Sequence, residues 1–144
     1  MKPAKGGGGA TAQERNSDVT RADGSRPSIL VVDDEAMIRA ILQRALRRVY
    51  DVTAVEGPQE ALEAMAARRF DLVMTDINMP GGSGLDLAAT IQAQVPPTPV
   101  AILSAVVDED THDRIEALAA PLFFKPFDIP ELMTMLEALF KSLP

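Results

Sequence analysis

The chain has 144 residues, no cysteine, a single histidine and a formal charge of −7. That length supplies one ordinary domain; the composition excludes disulfide frameworks, thiolate zinc sites and cysteine nucleophiles, and His112 alone is too little for a histidine metal cage or a Ser-His triad. The excess of acid is the wrong sign for a direct nucleic-acid partner, and none is expected.

Residues 1–27 differ from the rest. They carry five basic groups (Lys2, Lys5, Arg15, Arg21, Arg26) against three acidic ones (Glu14, Asp18, Asp23), whereas residues 28–144 carry nine against eighteen. Only six of the first 27 are apolar, too few to offset the entropy of ordering them. A disordered tail at 1–27 ahead of a domain at 28–144 is therefore expected. The run Gly6-Gly7-Gly8-Gly9 lacks the Gly-Lys-Ser/Thr ending of a phosphate loop and reads as a linker. No apolar region follows the basic start, and no later stretch is long enough to span a bilayer, which predicts a soluble, cytoplasmic protein without membrane contact.

From Ser28 onward, short apolar runs alternate with helical periodicity. Ser28-Ile29-Leu30-Val31-Val32 has no polar alternation, as a strand buried on both faces requires. Asp33, Asp34 and Glu35 end it. Met37, Ile38, Ile41, Leu42, Ala45, Leu46 and Val49 then recur at i, i+3, i+4 spacing and predict a helix reaching Val49. Val52 to Val55 predicts a second strand, and Pro58, at a first-turn position, opens a helix to about Ala67. A third strand at Leu72 to Thr75 leads through a loop, Asp76 to Ser83, into a helix from Gly84 to Ala93. Pro96, Pro97 and Pro99 end that helix and stiffen the entry to a fourth strand, Val100 to Leu103. A helix over Asp108 to Ala119, a short strand at Leu122 to Phe124 and a helix from Pro130 to about Lys141 follow. Five βα units in this length predict an α/β fold, an open doubly wound parallel sheet, with no room for an eight-stranded barrel.

In such a sheet, ligands bind beyond the carboxyl ends of the strands. Four of the five strands place polar residues there: Asp33-Asp34, Asp76, Ser104-Ala105 and Lys125-Pro126. Three carboxylates within about 5 Å of each other repel by about 3 kcal/mol per pair at an effective dielectric of 20. A divalent cation together with Lys125 neutralises them. All-oxygen ligands without His or Cys point to a hard ion, and Mg²⁺ suits a small carboxylate set that leaves room for phosphate oxygens. Asp76 is the natural nucleophile, because a carboxylate forms an acyl phosphate without prior deprotonation. Lys125 supplies a point charge and Ser104 a hydroxyl to phosphoryl oxygens.

With these residues in place, the chain resembles a response-regulator receiver domain of bacterial two-component signalling. The resemblance covers about residues 28 to 142 and rests on Asp33-Asp34, on Asp76 with Met79-Pro80 and Gly84 behind it, on Ser104-Ala105, and on Lys125-Pro126-Phe127. It implies a flavodoxin-like fold of strand order 2-1-3-4-5 with five helices. It implies that Asp76 receives phosphate from a histidine kinase or a histidine phosphotransfer protein. Asp34 would be the stronger of two acidic Mg²⁺ ligands, with Asp33 partly through water, and the carbonyl of Asn78 would complete the set with Asp76. Ser104 and Lys125 would hold the phosphoryl oxygens, and side chains at Asn78 and Val106 would influence the phosphoryl lifetime. The expected product is a stand-alone signalling module, not an enzyme beyond self-catalysed phosphotransfer and autodephosphorylation. It would have no DNA-binding output domain, and an unknown downstream protein would dock on the helix 4, strand 5, helix 5 face.

Two features depart from that family. Leu122 stands where members usually carry an aromatic three residues before the lysine, and Ala119-Ala120-Pro121 replaces the usual Gly-Ala turn, leaving the segment from Ser104 to Lys125 about one residue short. An alternative enzyme reading, a Mg²⁺ phosphatase of the haloacid-dehalogenase type, requires an acid two residues after the nucleophile. Here that residue is Asn78. Asp33-Asp34 alone would read as a helix cap, Gly81, Gly82 and Gly84 as turn residues, His112 as a solvated helix residue, and Met65, Met74, Met133 and Met135 as core or helix-face filler.

Overall fold

The computed structural model describes residues 20–105 and 108–143. Residues 1–19 of the expected tail, together with Val106, Val107 and Pro144, lie outside the described residues. Five strands, β1 (Ser28–Val32), β2 (Asp51–Val55), β3 (Leu72–Asp76), β4 (Val100–Ser104) and β5 (Leu122–Phe124), form one parallel sheet in the order β2-β1-β3-β4-β5. The helices are α1 (Ala36–Leu46), α2 (Pro58–Ala67), α3 (Gly84–Gln92), α4 (Glu109–Leu118) and α5 (Ile129–Ser142). The five flanking helices are those the sequence pattern predicted, and the sheet order is the one the receiver resemblance implied.

Strand alternation sorts the core into two layers. Leu30, Val32, Val73 and Ile102 pack toward α2, α3 and α4, against Ala61, Leu85, Ile91 and Ile115. Ile29, Val31, Met74, Leu103 and Phe123 pack toward the other face, against Leu42 and Leu46 of α1 and Leu132 and Leu136 of α5. Both faces of the central strands are fully buried, which is why their sequences show no polar alternation.

Three differences from the sequence reading have local causes. Helix α1 stops at Leu46, because Val49 and Tyr50 both donate to the Leu46 carbonyl in a closing turn. Val49 keeps its place in the apolar pattern by packing into the core from that turn. The loop after β3 contains a two-residue antiparallel ladder, Asn78–Met79 with Gly82–Ser83, turned by Gly81 and Gly82 at positive φ. Gly84 is the first residue of α3, as the helix pattern has it and against its reading as a turn residue: a Cβ there would lie 1.7 Å from the Asp76 carbonyl oxygen.

Chain direction fixes where chemistry can collect. All five strands end, and all five helices begin, at the same edge of the sheet. From β1 the chain passes outward to β2 and then back across to β3, so the carboxyl ends of β1 and β3 flank the crevice where the winding reverses.

Candidate functional site

Asp33 follows β1 and its side chain is fully buried. Its Oδ1 accepts from the backbone N–H of Glu35 at 2.9 Å, and its own N–H donates to the Val55 carbonyl at 3.1 Å. The Asp33 carbonyl in turn accepts from Arg39 Nη1 at 2.8 Å. This turn leads into α1, whose N-cap residue Glu35 makes no side-chain cap of its own. The acidic pair is therefore not the cap of α1: the Asp33 Oδ1 bond closes a turn onto the Glu35 N–H, ahead of the first helical residue, and uses only one of the two Asp33 oxygens.

Asp76 is the last residue of β3, with a side chain 13 % exposed. Ile77 N–H donates to its Oδ1 at 2.8 Å and fixes the plane of the carboxylate. Behind it, Thr75 Oγ1 donates to the Asp76 carbonyl at 2.9 Å, and Gly84 N–H donates to the Ile77 carbonyl at 2.7 Å. The start of α3 is thereby pressed against the strand end, and only glycine allows that approach.

Asp33, Asp34 and Asp76 each offer a carboxylate oxygen within 4.8 Å of the others. Lys125, directly after β5, reaches into this group: its Nζ lies 2.7 Å from Asp33 Oδ2, 3.4 Å from Asp76 Oδ2 and 3.5 Å from Glu35 Oε1. The contact with Asp33 lies off the hydrogen-bonding direction, so Asp33 Oδ2 is buried and charge-paired but without a hydrogen bond. Burial raises the Asp76 pKa above the usual carboxylate range; the nearby Lys125 charge opposes the rise and Asp33 adds to it. Burial would depress Lys125, but the close contact with Asp33 and the charge of Asp76 outweigh it and hold the ammonium above its ordinary pKa.

Ser104 ends β4 and is buried. Its carbonyl accepts from the Lys125 N–H at 2.9 Å, so the hydroxyl residue and the lysine are joined by one backbone bond across neighbouring strands. Asn78 is exposed and begins the short ladder beyond Asp76. Val106 lies outside the described residues. Glu35, Arg39 and Thr75 take part in building the site without having been singled out for it in the sequence, whereas Gly84 stood in the motif behind Asp76. Arg39 acts through its bond to the Asp33 carbonyl and Glu35 through Lys125, contacts that no helical spacing announces. His112 is exposed, with Glu116 3.7 Å away on the same helix.

A profile of the response regulator receiver domain matches residues 29–137. The chain belongs to the response regulator receiver family. It is 43 % identical over 112 residues to the response regulator protein PilR of Pseudomonas aeruginosa, covering 75 % of this chain and 25 % of PilR. It is 34 % identical over 125 residues to the probable transcriptional regulatory protein TcrX of Mycobacterium tuberculosis, covering 84 % of this chain and 53 % of that protein. Among solved structures, the non-phosphorylated HemR receiver domain of Leptospira biflexa is 31 % identical at a TM-score of 0.74, covering 83 % of this chain and 97 % of that one. The chain spans about a quarter to a half of the length of these two curated relatives. Receiver domains are signalling modules that interact with histidine kinases and generally bind Mg²⁺ at an acidic pocket. Among the described residues, no helix is long and apolar enough to cross a membrane.

Proposed function

We propose that this receiver domain accepts a phosphoryl group on Asp76 from the phosphohistidine of a histidine kinase or a histidine phosphotransfer protein. The observation that carries the reading is the convergence of Asp33, Asp34, Asp76 and Lys125 on one crevice, with Asp76 held in plane by Ile77. An oxygen of Asp76 attacks the phosphorus, the P–N bond breaks, an acyl phosphate forms and the electron pair leaves with the imidazole. Lys125 moves its charge from Asp33 toward the arriving phosphoryl oxygens, and the Ser104 hydroxyl donates to another of them.

The donor set fits Mg²⁺. Three carboxylates contribute oxygen ligands, no nitrogen or sulfur donor is present among them, and the buried Asp33 Oδ2 has no hydrogen bond to lose. Asp33, Asp34 and Asp76 would hold the ion, with the carbonyl of Asn78 as a further ligand. When bound, it supplies Lewis-acid charge that screens the attacking carboxylate from its neighbours and offsets the phosphoryl oxygens. Output runs through a protein partner on the surface formed by α4, β5 and α5, where Phe124 is 61 % exposed and Met135 is also exposed.

The test is labelling with acetyl phosphate and MgCl₂, followed by intact-mass measurement. Wild type gains one phosphoryl group; Asp76→Asn gains none. Full labelling of Asp76→Asn would overturn the assignment.

A further inference from the structure

The end of the molecule opposite the acidic crevice is basic, and it contains a groove. Chain direction brings together there the segment before β1, the ends of α1, α2 and α5, and the loops that enter β3 and β4. Arg21 and Arg26 precede β1; Arg44, Arg47 and Arg48 close α1; Arg68 and Arg69 follow α2; Lys141 ends α5. All eight are exposed, and they are eight of the eleven lysines and arginines among the described residues. Five acids share that end: Asp23, Asp51, Asp71, Glu116 and Glu137, whose charge acts on Tyr50 just before β2. The other end carries three basic residues against fourteen acids.

The overall negative charge therefore says little about what this basic end attracts. A five-residue strand spans about 16 Å, and charges farther apart than the Debye length of about 8 Å at physiological salt are largely screened from one another. A ligand at this end meets a positive surface.

The groove has a volume of about 720 Å³. Its charged lining is mainly cationic: Arg21, Arg68 and Arg69 against the single acid Asp71. Arg21 is held by Asp71, and Arg68 bonds Asp51 at 3.1 Å while stacking 4.8 Å above the Phe70 ring. Among the described residues, the Arg69 guanidinium has no such partner and is exposed. Apolar lining comes from Pro96, Pro97 and Phe140, with Gln94 and Thr98 between and beside the prolines and Val95 next to them at 95 % exposure.

We propose that this groove docks an extended acidic segment of a partner protein. Its carboxylates would lie on the arginines and an apolar or aromatic side chain against the prolines. Charge complementarity selects the acid, and guanidinium forks match carboxylates two bonds at a time. A concave groove with apolar lining suits a peptide better than a flat bilayer, and it lacks the exposed stacking platform a single strand of nucleic acid needs. Docking here leaves the acidic crevice free, so both ends can be engaged together.

The experiment uses the full chain and a fluorescent twelve-residue peptide alternating Glu with Leu and Phe. The comparison probes are its Lys-for-Glu counterpart, a single-stranded oligonucleotide and vesicles containing anionic phospholipid. The acidic peptide is expected to bind saturably and to weaken as salt is raised. Arg69→Glu should lower its affinity at least tenfold while circular dichroism and phospholabelling stay unchanged; Arg69→Lys should retain most of it. The proposal is overturned if the acidic peptide does not bind, if Arg69→Glu leaves its affinity intact, or if only the oligonucleotide, the vesicles or a second copy of the chain binds.

Discussion

A carboxylate at the end of a buried strand is disfavoured as an anion, and Asp76 carries that burden in the resting protein. Its folded pKa is raised, chiefly by burial, so above that pKa the ionised group destabilises the fold relative to the unfolded chain. As pH falls through the folded pKa, the native state takes up the proton first and the penalty is relieved. Without divalent cation, Asp76→Asn is accordingly expected to melt above wild type at neutral pH, with the gap closing as pH is lowered. Melting curves across the acidic range decide this; a variant that melts below wild type at neutral pH would contradict it. Labelling should follow the same titration, because the attacking form is the carboxylate. Gly84 acts on the same residue from behind. Gly84→Ala places a methyl group where the Asp76 carbonyl stands, which forces the start of α3 away from β3. A loss of about 3 kcal/mol is expected, the upper range for an overpacked site, together with slower labelling by acetyl phosphate. Unchanged denaturant midpoint and labelling rate would show that the contact relaxes freely.

The elements around the crevice differ in how firmly they are held. Helix α3 buries Leu85, Leu87, Ala88 and Ile91, whereas α4 buries only Ile115. What fixes α4 is largely polar and local: Asp108 caps it through the Thr111 N–H at 2.7 Å, Arg114 bonds Asp86 of α3 at 2.9 Å, and Gln92 Nε2 donates to the Leu118 carbonyl at 2.8 Å. Removing the cap with Asp108→Ala should cost about 1 kcal/mol and open the amides of α4 to hydrogen exchange well before those of α3. Equal exchange in both helices would refute this ranking. The same contrast governs what a reader of the sequence can recover. Strands β1, β3 and β4 were legible because burial on both faces leaves unbroken apolar runs, and the helices because one face recurs at a fixed period. Within the crevice, the strand-end acids and Lys125 were legible from their positions alone. The burial of Asp33, the unbonded Oδ2, the reach of Lys125 to Glu35 and the glycine requirement at position 84 were not, since each depends on which backbone passes behind a residue far away in sequence. Leu122 is a mixed case. Strand alternation sets it opposite Phe123: Leu122 packs with the α2, α3 and α4 layer and Phe123 with the α1 and α5 layer. Only the fold shows Phe124 paired in register with Ser104 and exposed.

At the scale of the whole molecule, direction does what composition conceals. Every strand end and helix start lies at the acidic edge, so the charge of the chain is sorted along one axis. Concentrating three carboxylates against one ammonium there leaves a local excess of negative charge that opposes folding until a cation arrives. Binding to the native crevice but not to the unfolded chain stabilises by RT ln(1 + [L]/Kd), about 2.7 kcal/mol at a hundred times the dissociation constant. For a domain of this size that corresponds to a rise in Tm of roughly 10 °C. MgCl₂ should therefore raise the melting temperature of wild type well beyond the effect of NaCl at equal ionic strength. Asp34 is the exposed member of the trio and has little structural work to lose, so Asp34→Asn should fold normally and respond to MgCl₂ no more than to NaCl. A full Mg²⁺ response in Asp34→Asn would remove that residue from the ligand set. An equal response to NaCl in wild type would reduce the crevice to ordinary screened surface charge.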